Sequence, residues 1–391
     1  MRVAFTDIDN LGWTAGAHYY TNLFHALRSL PDAPTIVVAD RPGGAPGGYD
    51  TYRVLADEVI TLPELPPKLF ADRVKGRLGF APPRPPAEGA LQAATVDVVF
   101  ACWRAFGADF AVPTLGWIPD FQHHHHPELF PDEELADRNA LFTAMAAQCT
   151  RIVLSSEDAR RDFERFHPEH ADKARVLRFV ARVPDGVTDA DPAGVCAEYH
   201  LPERFVYLPN QFWQHKNHEV VLEALARLRS TRPEITVVCT GNTADNRHPL
   251  HFGELLARAS RLGVRESFVV LGWVRHADTF RLLRQSLAVL QPSRFEGWST
   301  TVEETKSIGK GIVLSDLPIH REQDPPGVRW FDPTDPADLA DRLVEVYDTA
   351  APGPDGALEQ AARDALPGRI REYGETFVAI ARDAVAARST P

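Results

Sequence analysis

The chain of 391 residues is longer than a single hydrophobic core usually accommodates, so two domains are expected. Its content of 44% hydrophobic and 25% charged residues is typical of soluble globular proteins, and no apolar run approaches the roughly 18 residues of a membrane span. The net charge of −12 argues against a nucleic-acid partner, because binding a phosphate backbone requires a basic surface.

Charged residues near the N-terminus predict a cytoplasmic protein. Arg2, Asp7 and Asp9 interrupt what would be the apolar region of a signal peptide, so residues 3–8 are predicted to form the first strand. Four cysteines are spread along the chain without a CxxC pair, which argues against a zinc site or a disulfide framework. We expect reduced, buried thiols at all four. These cysteines are Cys102, Cys149, Cys196 and Cys239.

Strand and helix patterns alternate over almost the whole chain, which predicts α/β units with parallel sheets. A stretch with the composition of a linker, residues 184–192, lies near the middle. We therefore expect an N-terminal Rossmann-like domain over residues 1–186, a linker at 187–202, a second Rossmann-like domain at 203–368 and a final helix at 369–391.

A glycine-containing loop at residues 9–16 follows the first strand and precedes a helix predicted at 17–30. Gly12 and Gly16 allow the backbone to approach a ligand closely, or they serve only a tight turn between strand and helix. The loop lacks the GxGxxG pattern of dinucleotide-binding proteins.

Asp7 and Asp9 form an Asp-x-Asp tripeptide of the kind that holds a divalent metal ion in some enzymes. Asp189 and Asp191 match the same pattern in the predicted linker, and a hard cation requires several further oxygen ligands that do not cluster nearby. No metal and no cofactor are therefore expected.

Residues 63–90 are predicted to be irregular, because seven prolines interrupt any regular structure. Within this stretch, residues 68–84 mix basic and apolar side chains in an otherwise acidic protein. They are interpreted either as a flap that makes weak contact with an acceptor or an anionic membrane surface, or as a solvated loop.

Four consecutive histidines, residues 123–126, follow a strand predicted at 114–118. Open α/β sheets bind ligands at the carboxyl ends of their strands, so this loop is a candidate binding segment. Four adjacent histidines do not converge on one metal ion, because zinc ligands come from separated positions. One or two are expected to face a ligand, and the rest to face solvent.

Two loops of the second half combine charge with backbone N–H groups. The first, residues 209–218, contains Lys216; the second follows a strand at 287–291 and leads into a helix predicted at 299–309. The first turn of that helix is an anion-binding site, because its N–H groups lack intrahelical partners. A purely structural alternative is a capping box between Thr300 and Glu303, and both interpretations can hold together.

The run Pro-Ser-x-x-Glu-Gly-Trp-Ser-x-x-x-x-Glu from Pro292, followed by Gly-Lys-Gly-Ile-Val-Leu-Ser-Asp to Asp316, resembles the C-terminal-domain signature of glycosyltransferase family 4. The members of that family are retaining enzymes with the GT-B fold. The resemblance is strongest over residues 205–325. It implies two Rossmann-like domains that face each other across a cleft.

The resemblance also implies roles for individual residues. Glu296 would bind the transferred sugar, with Asp120 and His123 as further catalytic residues, although Pro119 stands where the family usually has a histidine before the aspartate. Gln211 likewise stands where the family has a phosphate-binding arginine. The implied donor-binding residues are Gly16, Asn210, Gln211, Lys216, Val274, Gly297, Trp298, Ser299, Thr300, Thr301 and Glu304.

In this interpretation Lys216 contacts the diphosphate, Glu304 the ribose and the backbone around Val274 the base. The predicted function is metal-independent, retaining transfer of a sugar from a nucleoside-diphosphate sugar to a glycan, lipid-linked or small-molecule acceptor, as in polysaccharide biosynthesis. Two alternatives stay open. One is a GT-B relative with other chemistry, such as a nucleotide-sugar epimerase or a sugar phosphorylase. The other is a non-catalytic module that binds nucleotide sugars.

Overall fold

The structure of the protein, a computed structural model, describes residues 1–8, 14–40, 52–63 and 86–389. The basic segment predicted at 68–84 lies outside the described residues, as do Asp9 and Gly12. Within the described ranges, no helix combines the length and the apolar character that a membrane crossing requires.

The described residues form thirteen strands and thirteen α-helices, which alternate over most of the chain, and four short 3-10 helices. The strands β1 to β13 are Arg2–Thr6, Thr35–Asp40, Glu58–Thr61, Val98–Cys102, Thr114–Ile118, Arg151–Leu154, Ala174–Val176, Val206–Pro209, Val237–Thr240, Phe268–Gly272, Val289–Gln291, Ile312–Ser315 and Val328–Phe331. The helices α1 to α13 are Thr14–Arg28, Pro86–Ala93, Gln122–His125, Asp132–Gln148, Glu157–Phe166, Gly194–Glu198, His218–Leu228, His251–Leu262, His276–Gln285, Thr300–Ile308, Pro318–Gln323, Pro336–Thr349 and Gly356–Ser389.

The chain divides into two compact units. The first consists of Met1–Phe121, Glu133–Phe179 and Ile370–Pro391, and the second of Gln122–Asp132 and Val180–Arg369. The segment with the four histidines therefore packs as part of the second unit, although it follows β5 of the first. The helix α13 begins in the second unit and ends in the first, and it contains Pro367.

The first unit contains a parallel sheet of seven strands in the order β3-β2-β1-β4-β5-β6-β7. Its central strands β1, β4 and β5 are almost fully buried, because helices cover both faces of a parallel sheet. Ser156 caps α5 by accepting a hydrogen bond from the backbone N–H of Ala159 at 3.0 Å, as its position before Glu157 and Asp158 predicts.

The second unit contains a parallel sheet of six strands in the order β10-β9-β8-β11-β12-β13. Counted from β8, this is the order 3-2-1-4-5-6 of a Rossmann fold. One hydrophobic cluster packs α7, α8 and α12 against the sheet, and a second cluster includes side chains of α9 and α10. Two Rossmann-like units with parallel sheets confirm the predicted fold class.

Most predicted elements agree with the structure, with three differences. The stretch predicted to be irregular includes the helix Pro86–Ala93, whose first residue is a proline. The strands β2 and β3 were not predicted. All four cysteines are free, and three of them are buried, while Cys196 is partly exposed.

Candidate active site

The candidate site lies at the point where the strand order of the second sheet reverses. The strands β8 and β11 are neighbours there, and their helices connect in opposite directions, which opens a crevice at the carboxyl ends of the two strands. A polar residue lies shortly after the end of each of these two strands. Asn210 comes after β8 and is 4% exposed, and Ser293 comes shortly after β11 and is fully buried.

Glu296 is the best-anchored side chain of the loop after β11. Its Oε1 accepts hydrogen bonds from Lys216 Nζ at 2.6 Å, Gln291 Nε2 at 2.8 Å and Ser293 Oγ at 2.6 Å. The Glu296 side chain is 8% exposed and that of Lys216 is 15% exposed. Three donors on one oxygen fix the orientation of the carboxylate, and Oε2 accepts no hydrogen bond within the described part of the chain.

Gln291, at the end of β11, links the two loops of the site. Its Nε2 also donates to Ser299 Oγ at 2.9 Å, and its Oε1 accepts from Asn210 Nδ2 at 2.5 Å. The side chain is fully buried, so each of these hydrogen bonds satisfies a group that water does not reach. Sequence reasoning missed this residue. The sequence feature that could have identified it is a polar glutamine at the end of an otherwise apolar strand.

The helix α10 presents its N-terminus to the same crevice edge. Ser299 is the N-cap, and its Oγ accepts from the backbone N–H of Val302 at 3.4 Å. Within the described residues, the backbone N–H groups of Thr300 and Thr301 have no acceptor, as expected for a first helical turn. These two groups and the helix dipole favour an anion.

The predicted capping box between Thr300 and Glu303 is not formed. The helix begins at Thr300, so the cap falls one residue earlier, on Ser299. Glu303 is 1% exposed and makes an ion pair with Arg369 instead. It also accepts from Gln323 Nε2 at 3.1 Å, which joins the middle of α10 to α11.

Hydrogen bonds connect the loop that contains Lys216 to the loop that contains Glu296. Asn217 adopts a left-handed backbone conformation with φ of 58°, and its Nδ2 donates to the carbonyls of Pro292 at 3.0 Å and Pro333 at 2.9 Å. The backbone N–H of Arg294 donates to the carbonyl of His215 at 2.8 Å. Hydrogen bonds made by the residues on both sides of Lys216 therefore position it in its loop.

A second buried carboxylate, that of Glu304, lies one turn further along α10. Its side chain is 10% exposed, and its Oε1 lies 3.2 Å from Nε2 of His276, the first residue of α9. Val274, two residues earlier, is partly buried against one of the two hydrophobic clusters of this unit. Sequence reasoning did not identify His276.

Burial keeps two neighbouring histidines neutral. It lowers the pKa of His215 well below its usual range and that of His320 to about 4, while the Glu296 charge opposes the shift at His320. His320 Nδ1 donates to the carbonyl of Ser315 at 2.8 Å. Lys216 Nζ therefore contributes a positive charge in direct contact with the Glu296 carboxylate.

The histidine segment divides into a buried and a surface part. His123 is 2% exposed and packs near Phe130, with ring centroids 6.3 Å apart. The rings of His125 and His126 instead lie against Phe295, at 5.3 Å and 6.0 Å between centroids. Phe295 directly precedes Glu296, so these two histidines are the ones beside the candidate site.

The structure thus brings together one group of predicted site residues, all in the second unit. This group contains Asn210, Lys216, Glu296, Ser299, Thr301 and Glu304. Thr301 Oγ1 lies 3.4 Å from Asn210 Oδ1, and Gln211, Gly297 and Trp298 are partly exposed in the same two loops. Gly16, in the first turn of α1, and Asp120, two residues after β5, belong to the first unit.

Metal-binding side chains do not cluster in the described part of the chain. There, no three His, Cys, Asp or Glu residues come together as the ligands of a metal ion would.

Comparison with known proteins gives one family and several structures. The family model for glycosyl transferases group 1 matches residues 200–362, which contain both loops of the candidate site. A comparison with curated protein sequences finds no match.

The similar solved structures include glycosyltransferases. One from Rickettsia africae is 14% identical with a TM-score of 0.69, and 98% of each chain is covered. Anabaena Alr3699/HepE in complex with UDP and glucose is 15% identical with a TM-score of 0.67, over 100% of both chains. The lipopolysaccharide outer core galactosyltransferase WaaB is 18% identical with a TM-score of 0.61, over 99% of this chain and 100% of that one.

At such identities the structural likeness establishes the fold. The chain has the fold of GT-B glycosyltransferases, and residues 200–362 of its second unit match the family of glycosyl transferases group 1.

Proposed function

We propose that this protein is a retaining glycosyltransferase of the family 4 type. It transfers a sugar from a nucleoside-diphosphate sugar to a glycan, lipid-linked or small-molecule acceptor. The observation that carries the proposal is the pair of Lys216 and Glu296, 2.6 Å apart, beside the N-terminus of α10. This arrangement lies within the residues that match the glycosyltransferase family.

The diphosphate of the donor would bind between Lys216 and α10. The leaving nucleoside diphosphate gains negative charge as the bond to the sugar breaks. An ammonium, the N–H groups of Thr300 and Thr301 and the helix dipole stabilise that charge where it develops. The side-chain amide of Asn210 holds Gln291, and Gln211 follows it in the same loop. Gln211 would supply a neutral donor in place of the arginine of the family pattern.

The transferred sugar would bind to Glu296. Its Oε1 is occupied by three donors, so Oε2 is the oxygen that remains for sugar hydroxyls. Lys216 would then contact the carboxylate and the phosphate together, which places the sugar next to its leaving group. The Anabaena relative was solved with UDP and glucose, which makes UDP-glucose the first donor to test.

Retention and metal independence are parts of the proposal. The acceptor hydroxyl would attack the face from which the phosphate departs. Its oxygen forms the new bond to the anomeric carbon, the bond to the diphosphate oxygen breaks with its electron pair, and the phosphate takes the acceptor's proton. Lys216 and the α10 N-terminus would stabilise the leaving group in the role that a metal ion has elsewhere. We also propose a cytoplasmic site of action, which the four free cysteines support.

The experiment that tests the proposal begins with binding. Thermal shifts with UDP, GDP, dTDP and ADP identify the base, and the matching sugar nucleotides are then incubated with candidate acceptors. Transfer of sugar to an acceptor supports the proposal. Transfer of sugar to phosphate would instead identify a sugar phosphorylase, and epimerisation of the donor would identify a nucleotide-sugar epimerase. Binding of a sugar nucleotide without release of nucleoside diphosphate would identify a non-catalytic binding module.

Glu296→Ala separates the sugar role of this residue from nucleotide binding. We expect turnover to fall at least about a hundredfold, as for the loss of a group that acts in the transition state, while UDP affinity changes less than about threefold. The exposed Glu203→Ala is the matched control and should leave both quantities unchanged. An unchanged turnover number in Glu296→Ala would remove this residue from the site.

A further inference from the structure

Glu304 is a mostly buried carboxylate with an incomplete set of hydrogen bonds. Its side chain is 10% exposed, and within the described ranges its hydrogen bond comes from Nε2 of His276, 3.2 Å from Oε1. Burying a carboxylate is unfavourable unless donors compensate for the lost water. One oxygen is held in this way, and the other is available to a ligand that carries donors.

His276 is itself held in a defined orientation. It is the first residue of α9, and its ring meets that of Phe280 edge to face, with centroids 5.3 Å apart and an interplanar angle of 90°. A carboxylate only accepts hydrogen bonds, so Nε2 of His276 carries the hydrogen that reaches Glu304. The imidazole therefore restrains the Oε1 atom of the carboxylate.

The position of Glu304 on α10 suggests what the ligand donates. The residue lies four positions after Thr300, about 6 Å along the axis from the helix N-terminus. If an anion binds at that N-terminus, the distance from the anion to Glu304 is about the length of one sugar ring. In a nucleoside diphosphate, the group at that distance from the phosphates is the ribose, whose vicinal hydroxyls match the two oxygens of a carboxylate.

We propose that His276 is a positioning residue that, through Glu304, makes this site select ribonucleoside over 2′-deoxyribonucleoside diphosphates. The inference rests on the proposed function. A site built to bind a hydroxyl discriminates against the analogue that lacks it, because its buried polar group is then left unpaired. Without His276 the carboxylate turns more freely, and it is no longer held for two hydroxyls at once.

The test measures dissociation constants by calorimetry for UDP and 2′-deoxy-UDP, with the GDP and ADP pairs as further probes. His276→Ala should weaken UDP binding about tenfold and change 2′-deoxy-UDP binding less than about twofold. His276→Gln keeps a side-chain N–H donor and should restore most of the discrimination. His200→Asn, at an exposed histidine of the same unit, is the matched control.

The outcomes separate this inference from the proposed function. If the wild-type protein binds no nucleoside diphosphate, the proposed function fails and this inference fails with it. If it binds dTDP but no ribonucleoside diphosphate, the proposed function stands and this inference is refuted. If it binds a ribonucleoside diphosphate and His276→Ala weakens the ribo and deoxy forms equally, the proposed function stands and the positioning role is refuted. Unchanged binding of both forms in His276→Ala refutes the role as well.

Discussion

Replacing Lys216 with methionine removes the ammonium that contacts Glu296 while keeping an unbranched side chain of similar length. Glu296 retains Gln291 and Ser293 as donors to the same oxygen, so the carboxylate should keep its orientation. The substitution therefore tests the charge of Lys216 rather than the shape of the loop.

The expected magnitude follows from the burial of the pair. The Lys216 side chain is 15% exposed, so water screens its interactions only in part. A hydrogen bond to a charged group contributes about 1.5–3 kcal/mol, which corresponds to a loss of about ten- to a hundredfold in UDP affinity. Part of that loss would come from the unpaired charge of Glu296, which repels the diphosphate.

The double variant with Glu296→Gln isolates the contact between Lys216 and phosphate. In Glu296→Gln the competing negative charge is gone, and UDP affinity should be equal to or higher than that of the wild type. Adding Lys216→Met to that background should still weaken UDP binding at least about tenfold, as measured by calorimetry at constant ionic strength.

One result would refute this reasoning. If Lys216→Met has no effect on UDP affinity in the Glu296→Gln background, the lysine serves only to neutralise the glutamate. The diphosphate would then have to bind elsewhere. Comparable thermal unfolding of the variants is the control that a difference in affinity does not reflect misfolding.

Three further predictions concern the support of the site. Gly241→Ala should lower both Tm and UDP affinity, because φ at Gly241 is 139° and a Cβ there would lie 2.3 Å from the carbonyl oxygen of Asn210. Gly253→Ala is the control: this helical position has open space around it, so the substitution should not destabilise the protein. Ser299→Ala removes the α10 cap and should cost about 1 kcal/mol in urea unfolding, with weaker UDP binding. The pKa of His320 is about 4 in the folded protein and near 6.5 unfolded, so the unfolded chain binds more protons and stability falls as pH drops below 6.5. His320→Asn should reduce that slope by up to about 1.4 kcal/mol per pH unit between pH 6.5 and 4, and an unchanged slope would contradict the shift.

The two loops of the candidate site were predicted from their local chemistry together with the resemblance to the family 4 signature. A lysine precedes a helix in one loop, and a glutamate follows a buried strand in the other. Parallel strands bring such loops together at the carboxyl edge of the sheet. What the sequence did not reveal was which strands are neighbours. The contact between Lys216 and Glu296 depends on β8 and β11 lying side by side, 80 positions apart at the two residues.

The missed features have physical reasons. Gln291 belongs to a buried strand, where apolar residues are the rule, so its role appears only with its three-dimensional partners. His276 is the first residue of one helix, and its contact with Glu304 on another helix is visible only in the folded structure. The helix Pro86–Ala93 was missed because a proline at the first helical position lacks only an N–H that has no partner in any case.

The placement of residues 122–132 has a practical consequence for exchanging the second unit between proteins of this fold. That unit is not one contiguous length of chain, since its main part, Val180–Arg369, packs with a peptide from the first half of the sequence. Arg247 stacks over Phe130, and His248 lies 3.2 Å from the carbonyl of Leu129. A chimaera cut only at residue 180 would combine Arg247 and Phe295 with a foreign peptide. A graft must carry the histidine segment with it to preserve these contacts.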